Sequence, residues 1–490
     1  MKFKKYITAI CLSSLLLGAA SCDDGYLDID PENSVPEEEV DFTNLDNQYQ
    51  AVSGVYAKLR TGGMHWVIWP LSIVRDDNLW SGRIDDQASL VDFGNYKYDN
   101  SFWGLKEMWN QYYGMIKVAN AALESLDSYG ANCTTDAQKK ENASYKGEVR
   151  FLRAYAYWRL QQAFGPVTIL RNNKQSNLTR STVDAVYNYI LEDLQYCMDN
   201  GERLRPNEMT HVGAVTAYTA EALAAKIYLN KGDYEKVKTL TDDIINSGKF
   251  ELYSDYYELF KIPGKLCNES LFECQCTDFG TGSGDMVDVD CWFTFQGPAN
   301  DGNISGWGFI GYYKDFRTWA KDRGETVRYE TSFLEAGTTT RSGDYIRELQ
   351  NPTQTDCWNG KAYTPENELT EGRTKYGANN NVRILRYADV LLMNAEAKVR
   401  LGQNGDEPFN LVRTRANMPK LTNVTVDQIL DERRMELCGE WGDRYNDLIR
   451  TGLAASVLGP NGWTEAKTYY PLPFDTVTDN PDLNNEPVNE

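Results

Sequence analysis

The sequence predicts a mostly α-helical fold: an array of about four tetratricopeptide-like helix pairs carrying an inserted, irregular, loop-rich subdomain with short β-strands. Three observations lead there. Apolar residues recur at steps of three and four over several long stretches, and glycine turns separate those stretches into pairs. Two intervening stretches, 62–104 and 262–380, lose that period and fill with Gly, Asp, Asn, Thr and aromatic residues.

The chain opens with Lys2, Lys4 and Lys5, an apolar run from Ile7 to Leu17, and the small residues Gly18, Ala19, Ala20 and Ser21 before Cys22. That layout is a secretory signal over 1–21, too short and too polar at its flanks to span a bilayer. A cysteine directly after the small residues resembles a lipobox, although Ala19 stands where leucine is usual; Cys22 is the expected lipidation site. Residues 22–41 are acidic, with Pro31 and Pro36, and read as a tether between lipid and body. The body is expected to occupy 42–490, with the helical scaffold at about 42–261 and 381–455. The variable binding subdomain is expected at about 262–380, joined by the 62–104 loop.

Within the scaffold, Val149, Leu152, Ala156, Leu160 and Ala163 line one helix face over 144–164. Phe151, Tyr155 and Trp158 make a second stripe, so this helix is expected to be covered on two sides. Gly165-Pro166 ends it. Residues 212–231 are rich in alanine, which lets helices approach closely, and Gly232-Asp233-Tyr234 turns the chain into a second helix ending near Gly248. Looser pairs are expected at 44–60 with 106–128 and at 144–164 with 183–199. The last pair joins a run from Leu385 to Val399 with a helix near 405–417. Leu271–Cys276 and Cys291–Phe295 look β-like. A structureless loop as long as 262–380 is improbable in a compact body, hence the inserted subdomain.

Removing the signal takes away three lysines and no acid, so the formal charge moves from −21 to −24. That balance excludes nucleic acid as a partner, which needs clustered Lys and Arg. Eight cysteines beyond Cys22 are irregularly spaced and define neither a disulfide framework nor a zinc set. Only His65 and His211 exist, in different segments, and neither sits beside a nucleophile. Gly306-Trp-Gly308-Phe-Ile-Gly311 meets a dinucleotide glycine pattern without the strand or acidic partner that pattern needs. No enzyme is expected, and no cofactor. Asp285, Asp288 and Asp290 could contribute to a Ca²⁺ site, but their spacing is not that of an EF-hand and a solvated acidic loop is the better reading.

Several segments together carry the motifs of a known family. Cys22-Asp-Asp-Gly-Tyr-Leu27-Asp28 matches its start, and Glu148-Val-Arg150-Phe-Leu-Arg153-Ala-Tyr-Ala-Tyr-Trp-Arg-Leu160 with Phe164-Gly165-Pro166 its most recognisable helix. Arg386-Tyr387-Ala388-Asp389 to Ala397 matches a late core helix. Glu432-Arg433-Arg434-Met-Glu436, with Glu440, Gly442, Arg444, Asp447 and Arg450-Thr451-Gly452, matches the C-terminal signature. Together these segments resemble the SusD/RagB family of outer-membrane nutrient-binding lipoproteins, and the resemblance implies a SusC-like TonB-dependent transporter as partner and an outer-membrane location facing the cell exterior. Arg150, Arg153, Glu396, Arg433, Arg434, Glu436 and Arg444 are expected to pair charges between helices, not to touch ligand.

A glycan binder needs flat aromatic rings for the C–H faces of sugars and polar groups to orient the hydroxyls. Trp66, Trp69 and Trp80 lie in the first loop with Asp76, Asn78 and Arg83; Trp292, Trp307 and Tyr312 lie in the second. These nine are the candidate ligand-binding residues, Trp80, Asn78 and Trp307 foremost. The expected function is capture of oligosaccharide at the cell surface and delivery to the transporter. The alternatives are a peptide-binding member of the family or a scaffold or lid without a small ligand.

Overall fold

The computed structural model describes residues 40–489 except 82, 279–285, 290, 301, 350–354, 372–376 and 378. Cys22, the signal and nearly all of the tether lie outside the described residues, as do Asp285 and Asp290. No described helix is long and apolar enough to cross a membrane.

Eight helices form the scaffold: α1 (Tyr49–Lys58), α2 (Trp103–Gly130), α3 (Asp136–Phe164), α4 (Val183–Asn200), α5 (Ala217–Lys231), α6 (Tyr234–Asn246), α7 (Tyr387–Arg400) and α8 (Asp406–Arg415). They pack as the four expected pairs, α1 with α2, α3 with α4, α5 with α6 and α7 with α8, and α2–α3, α4–α5 and α6–α7 contacts join the pairs into an array. Two further helices, α9 (Val426–Glu436) and α10 (Asp443–Arg450), carry the C-terminal signature.

Local chemistry sets the helix ends. The Thr135 hydroxyl accepts the Gln138 N–H at 3.2 Å while the Gln138 side chain accepts the Thr135 N–H at 3.0 Å, a capping box that starts α3 a turn and more before the apolar pattern does. Gly165, at φ 70, stops the same helix. Between α5 and α6, Gly232 takes the left-handed conformation and the Asp233 carboxylate accepts the Lys236 N–H, so one residue ends a helix and the next begins another. Ala220, Ala222, Ala224 and Ala225 are buried and let the neighbouring helices close on α5. Both stripes of α3 are buried, as the two-sided pattern requires.

The strands are short and pair over long distances in sequence. β1 (Leu79–Ser81), β2 (Ser270–Cys274), β3 (Ile310–Tyr312), β4 (Phe333–Glu335), β5 (Cys357–Asn359) and β6 (Val382–Arg386) join as β1–β3, β2–β6 and β4–β5, all antiparallel. The β2–β6 ladder is the neck of the inserted subdomain, with Cys274 opposite Val382. Two local expectations change. Cys291–Phe295 is no strand: Trp292–Gln296 is a helical turn, closed by the Phe295 N–H on the Cys291 carbonyl at 3.0 Å. A short apolar run buried on all sides carries no period by which strand and helix can be told apart. Leu385 likewise belongs to β6, and α7 begins at Tyr387.

Buried ion pairs join these parts through α9 and α10. Arg433 bonds Asp389 of α7 at 2.6 Å and Asp447 of α10 at 2.8 Å, and Lys226 of α5 reaches both Asp389 and Asp443. Arg450 pairs with Glu396, and Arg386 bridges Glu269, Glu436 and Glu440. From the insert, Arg328 meets Glu325, Glu432 and Glu436. Arg434 and Arg444 hold Asp77 of the first loop, and Arg153 grips Asp193 with two bonds of 2.8 Å. A buried charge is tolerable only when paired, so these partners specify one docking of scaffold, insert and loop.

Candidate ligand-binding site

The two irregular stretches meet at β1–β3, where Trp80 stands opposite Gly311. Asp76 starts β1: its Oδ1 accepts the N–H groups of Asn78 at 2.8 Å and Leu79 at 3.1 Å. Burial, with the charge of Asp77 beside it, raises its carboxyl to about 7. Strand alternation sends Leu79 and Ser81 inward and leaves Trp80 half-exposed. Its ring lies beside that of Tyr313, centroids 6.4 Å apart and planes 27° from parallel.

Trp307 is placed by its backbone. Its N–H donates to the Thr294 carbonyl at 2.7 Å, that of Gly306 to Pro298 at 2.7 Å, and that of Phe309 to Phe295 at 3.0 Å. Gly306 is required in this doubled segment, because a Cβ there would lie 2.5 Å from the Cα of Gly297. Arg83, paired with Asp85 at 3.0 Å, donates to the Trp307 carbonyl at 3.3 Å and so clips the first loop to the second. Trp66 stands between Trp307 and Trp103, with centroids at 5.9 and 5.7 Å and steep interplanar angles of 88° and 61°. Phe295 and Phe309 back it. Trp103 at the head of α2 is 50% exposed.

Of the nine candidates, Trp66, Trp80, Trp307 and Arg83 come together on this face. The other five are buried. Trp69 donates its indole N–H to the Glu440 carbonyl and packs on Trp292 and Phe295. Trp292 stacks on Trp441 with centroids 4.9 Å apart. The Tyr312 hydroxyl donates to Asn359, and the Asn78 side chain accepts from Arg434. Asp76 is turned to the backbone as described. Trp103 and Tyr313 are not among the nine. The signal that separates the two classes is local: Trp69 sits in the unbroken run Ile68-Trp69-Pro70-Leu71, whereas Trp307 lies between glycines.

The face offers several partly exposed rings at different tilts, a guanidinium and the exposed amide of Asn303, which is turned toward Glu366 at 2.9 Å. Such a surface can hold a sugar chain by apolar contact and orient it by hydrogen bonds. Among the described residues no three His, Cys, Asp or Glu side chains are grouped to hold a metal.

Comparison with known proteins agrees with the fold. Residues 311–488 match the SusD family, and residues 25–229 match a SusD-like family described as starch-binding and associating with the outer membrane. A SusD-like protein of Bacteroides ovatus is 24% identical over 485 residues, covering 90% of this chain and 82% of that protein. The starch-binding protein SusD of Bacteroides thetaiotaomicron is 23% identical over 410 residues, covering 71% and 72%. Among solved structures, surface glycan-binding protein A of Bacteroides thetaiotaomicron in complex with laminarihexaose superposes with a TM-score of 0.73 at 25% identity, over 89% of this chain and 97% of that one. The chain belongs to the SusD/RagB family, and it is a non-catalytic binding protein.

Proposed function

We propose that this protein is a cell-surface lipoprotein, anchored through Cys22, that captures oligosaccharide on the face formed by Trp66, Trp80, Trp103 and Trp307. It then delivers the oligosaccharide to a SusC-like TonB-dependent transporter of the outer membrane. The observation that carries the reading is the cluster of Trp66, Trp103 and Trp307, in which Trp66 touches both other indoles and all three remain open to solvent. Large aromatic rings left at the surface by a chain that has buried Trp69 and Trp292 suit the apolar faces of sugars. The laminarihexaose carried by one structural relative and the starch of another support a glycan ligand.

The test is affinity electrophoresis of the purified chain against laminarin, xyloglucan, starch and a set of peptides. Retardation by one polysaccharide class, lost in Trp307→Ala and Trp80→Ala at unchanged melting temperature, is the expected result. Retention by peptides alone would move the assignment to peptide capture.

A further inference from the structure

A second concavity, of about 530 Å³, runs beside α2. One wall is the stripe Lys106, Asn110, Tyr113 and Lys117, whose steps of three and four place them on a single helix face about 16 Å long. The 168–178 loop and the C-terminal segment at 476–483 form the other walls. Trp103 is the next residue of the same stripe, one step before Lys106, and its ring touches Trp66 of the aromatic face. The groove therefore begins where that face ends. Phe474, 59% exposed, lies two residues before Thr476 of the groove wall, and its segment is fixed by its N–H on the Asn100 carbonyl at 3.0 Å and by the Lys106–Asp475 pair at 2.7 Å.

The lining has the chemistry of a sugar groove. Trp109 and Tyr113 give an apolar floor, and the Tyr113 hydroxyl is already committed to the Thr168 carbonyl at 2.8 Å. Amides stand along the walls. Asn173 and Gln175 hold the loop itself, bonding the carbonyls of Lys117 and Ile169. The exposed amide of Asn110 has no hydrogen-bond partner among the described residues, so it presents both a donor and an acceptor to the groove. Lys106 is neutralised by Asp475, Lys117 and Asp479 bring one further charge of each sign to the lining, and the chain as a whole is strongly acidic. Neutral sugar hydroxyls suit these walls, and uronate or sulfate groups do not.

We propose that this groove is a second subsite for a neutral glycan, entered from the aromatic face across Trp103, which makes the protein prefer long chains to short ones. The proposal rests on the glycan-capturing reading above and adds a place and a length preference to it.

The experiment measures binding of the purified chain to laminarin, xyloglucan and starch, and to tri- and hexasaccharides of the polysaccharide that binds. The variants are Asn110→Ala with Phe474→Ala, both exposed positions, and separately Trp307→Ala. The groove variant should bind the polysaccharide roughly tenfold more weakly and the trisaccharide as before, while Trp307→Ala weakens both. Loss of polysaccharide binding in the groove variant, with Trp307→Ala unaffected, would sink the aromatic-face reading and leave the groove standing. Parent-like polysaccharide affinity in the groove variant overturns the proposal, as does an equal loss for the trisaccharide. Silence of the parent toward every glycan overturns both readings. Hydroxyl-radical footprinting of the unaltered chain gives an answer independent of the variants: Phe474 should be protected by polysaccharide and not by trisaccharide, while Trp103 of the aromatic face is protected by both. Equal oxidation with and without polysaccharide counts against the groove.

Discussion

Arg434 donates its Nε to the side-chain oxygen of Asn78 at 2.7 Å, and the same guanidinium pairs with Asp77 at 2.8 Å. Phe316 and Trp319 flank it, each 4.8 Å from the guanidinium carbon. A residue of the C-terminal signature thus holds the turn from which β1 and Trp80 emerge. The signature charges support the candidate face from behind it.

Arg434→Ala should therefore lower both stability and glycan affinity although Arg434 touches no ligand. Losing a charged hydrogen bond in a largely buried place costs about 2 kcal/mol, with Asp77 still held by Arg444. Thermal unfolding and polysaccharide binding measured on the same preparation check this. A stable variant with full affinity would show that the turn needs no such support.

Trp80 and Trp69 should separate cleanly. Trp80→Ala removes an outward ring, and the expected result is a melting temperature near that of the parent with affinity down about tenfold. Trp69→Ala empties a fully buried site and strands the Glu440 carbonyl, so a loss of about 3–5 kcal/mol in urea unfolding is expected.

Asp389 serves two buried cations, Lys226 and Arg433. Asp389→Ala leaves both in the interior with Asp443 and Asp447 as their remaining partners, which should cost about 3–5 kcal/mol. A denaturant midpoint close to the parent's would show that the neighbouring acids suffice.

Glu148 gives the pH dependence. Burial lifts its carboxyl to about 8 from the ordinary 4.5, partly opposed by the hydroxyls of Tyr56 and Tyr49, which donate to it at 2.8 and 3.2 Å. Between those two values the folded chain holds a proton that the unfolded chain has lost. This contribution is therefore complete below about pH 4.5 and is lost as pH rises through about 8. Glu148→Gln should flatten that fall, read as the difference in unfolding free energy between about pH 5 and about pH 9.

The helices were legible because their signals are local. Thr135 with Gln138, Gly165 and the Gly232-Asp233 turn sit within a few residues of the ends they define. The paired charges of the signature motifs were legible as a class, since so many arginines and acids in apolar helices must meet. Their particular partners were not, because Arg434 and Asn78 stand 356 residues apart. Leu271–Cys276 was legible as β-like and falls on β2, but the strand pairings were not legible, for the same reason: nothing near Trp80 names Gly311 as its neighbour. Cys291–Phe295 failed because a run buried on every side has no period to read. The candidate face was found by region and then divided by burial, which depends on what the chain brings over each ring. Trp103 was passed over at the end of the irregular 62–104 stretch; it is the first residue of α2, and that place leaves it open.

The neck of the insert has a consequence for how such a protein can change. Cys274 and Val382 are ladder partners, so the excursion between them leaves and re-enters the body at one point. Because closing a loop grows costlier only slowly with its length, that excursion can be lengthened, shortened or exchanged while β2 and β6 remain paired. The helical frame, with Trp66, Trp80 and Trp103, then stays the same while the part of the candidate face that the insert supplies, Trp307 and its loop, can be swapped like a cassette.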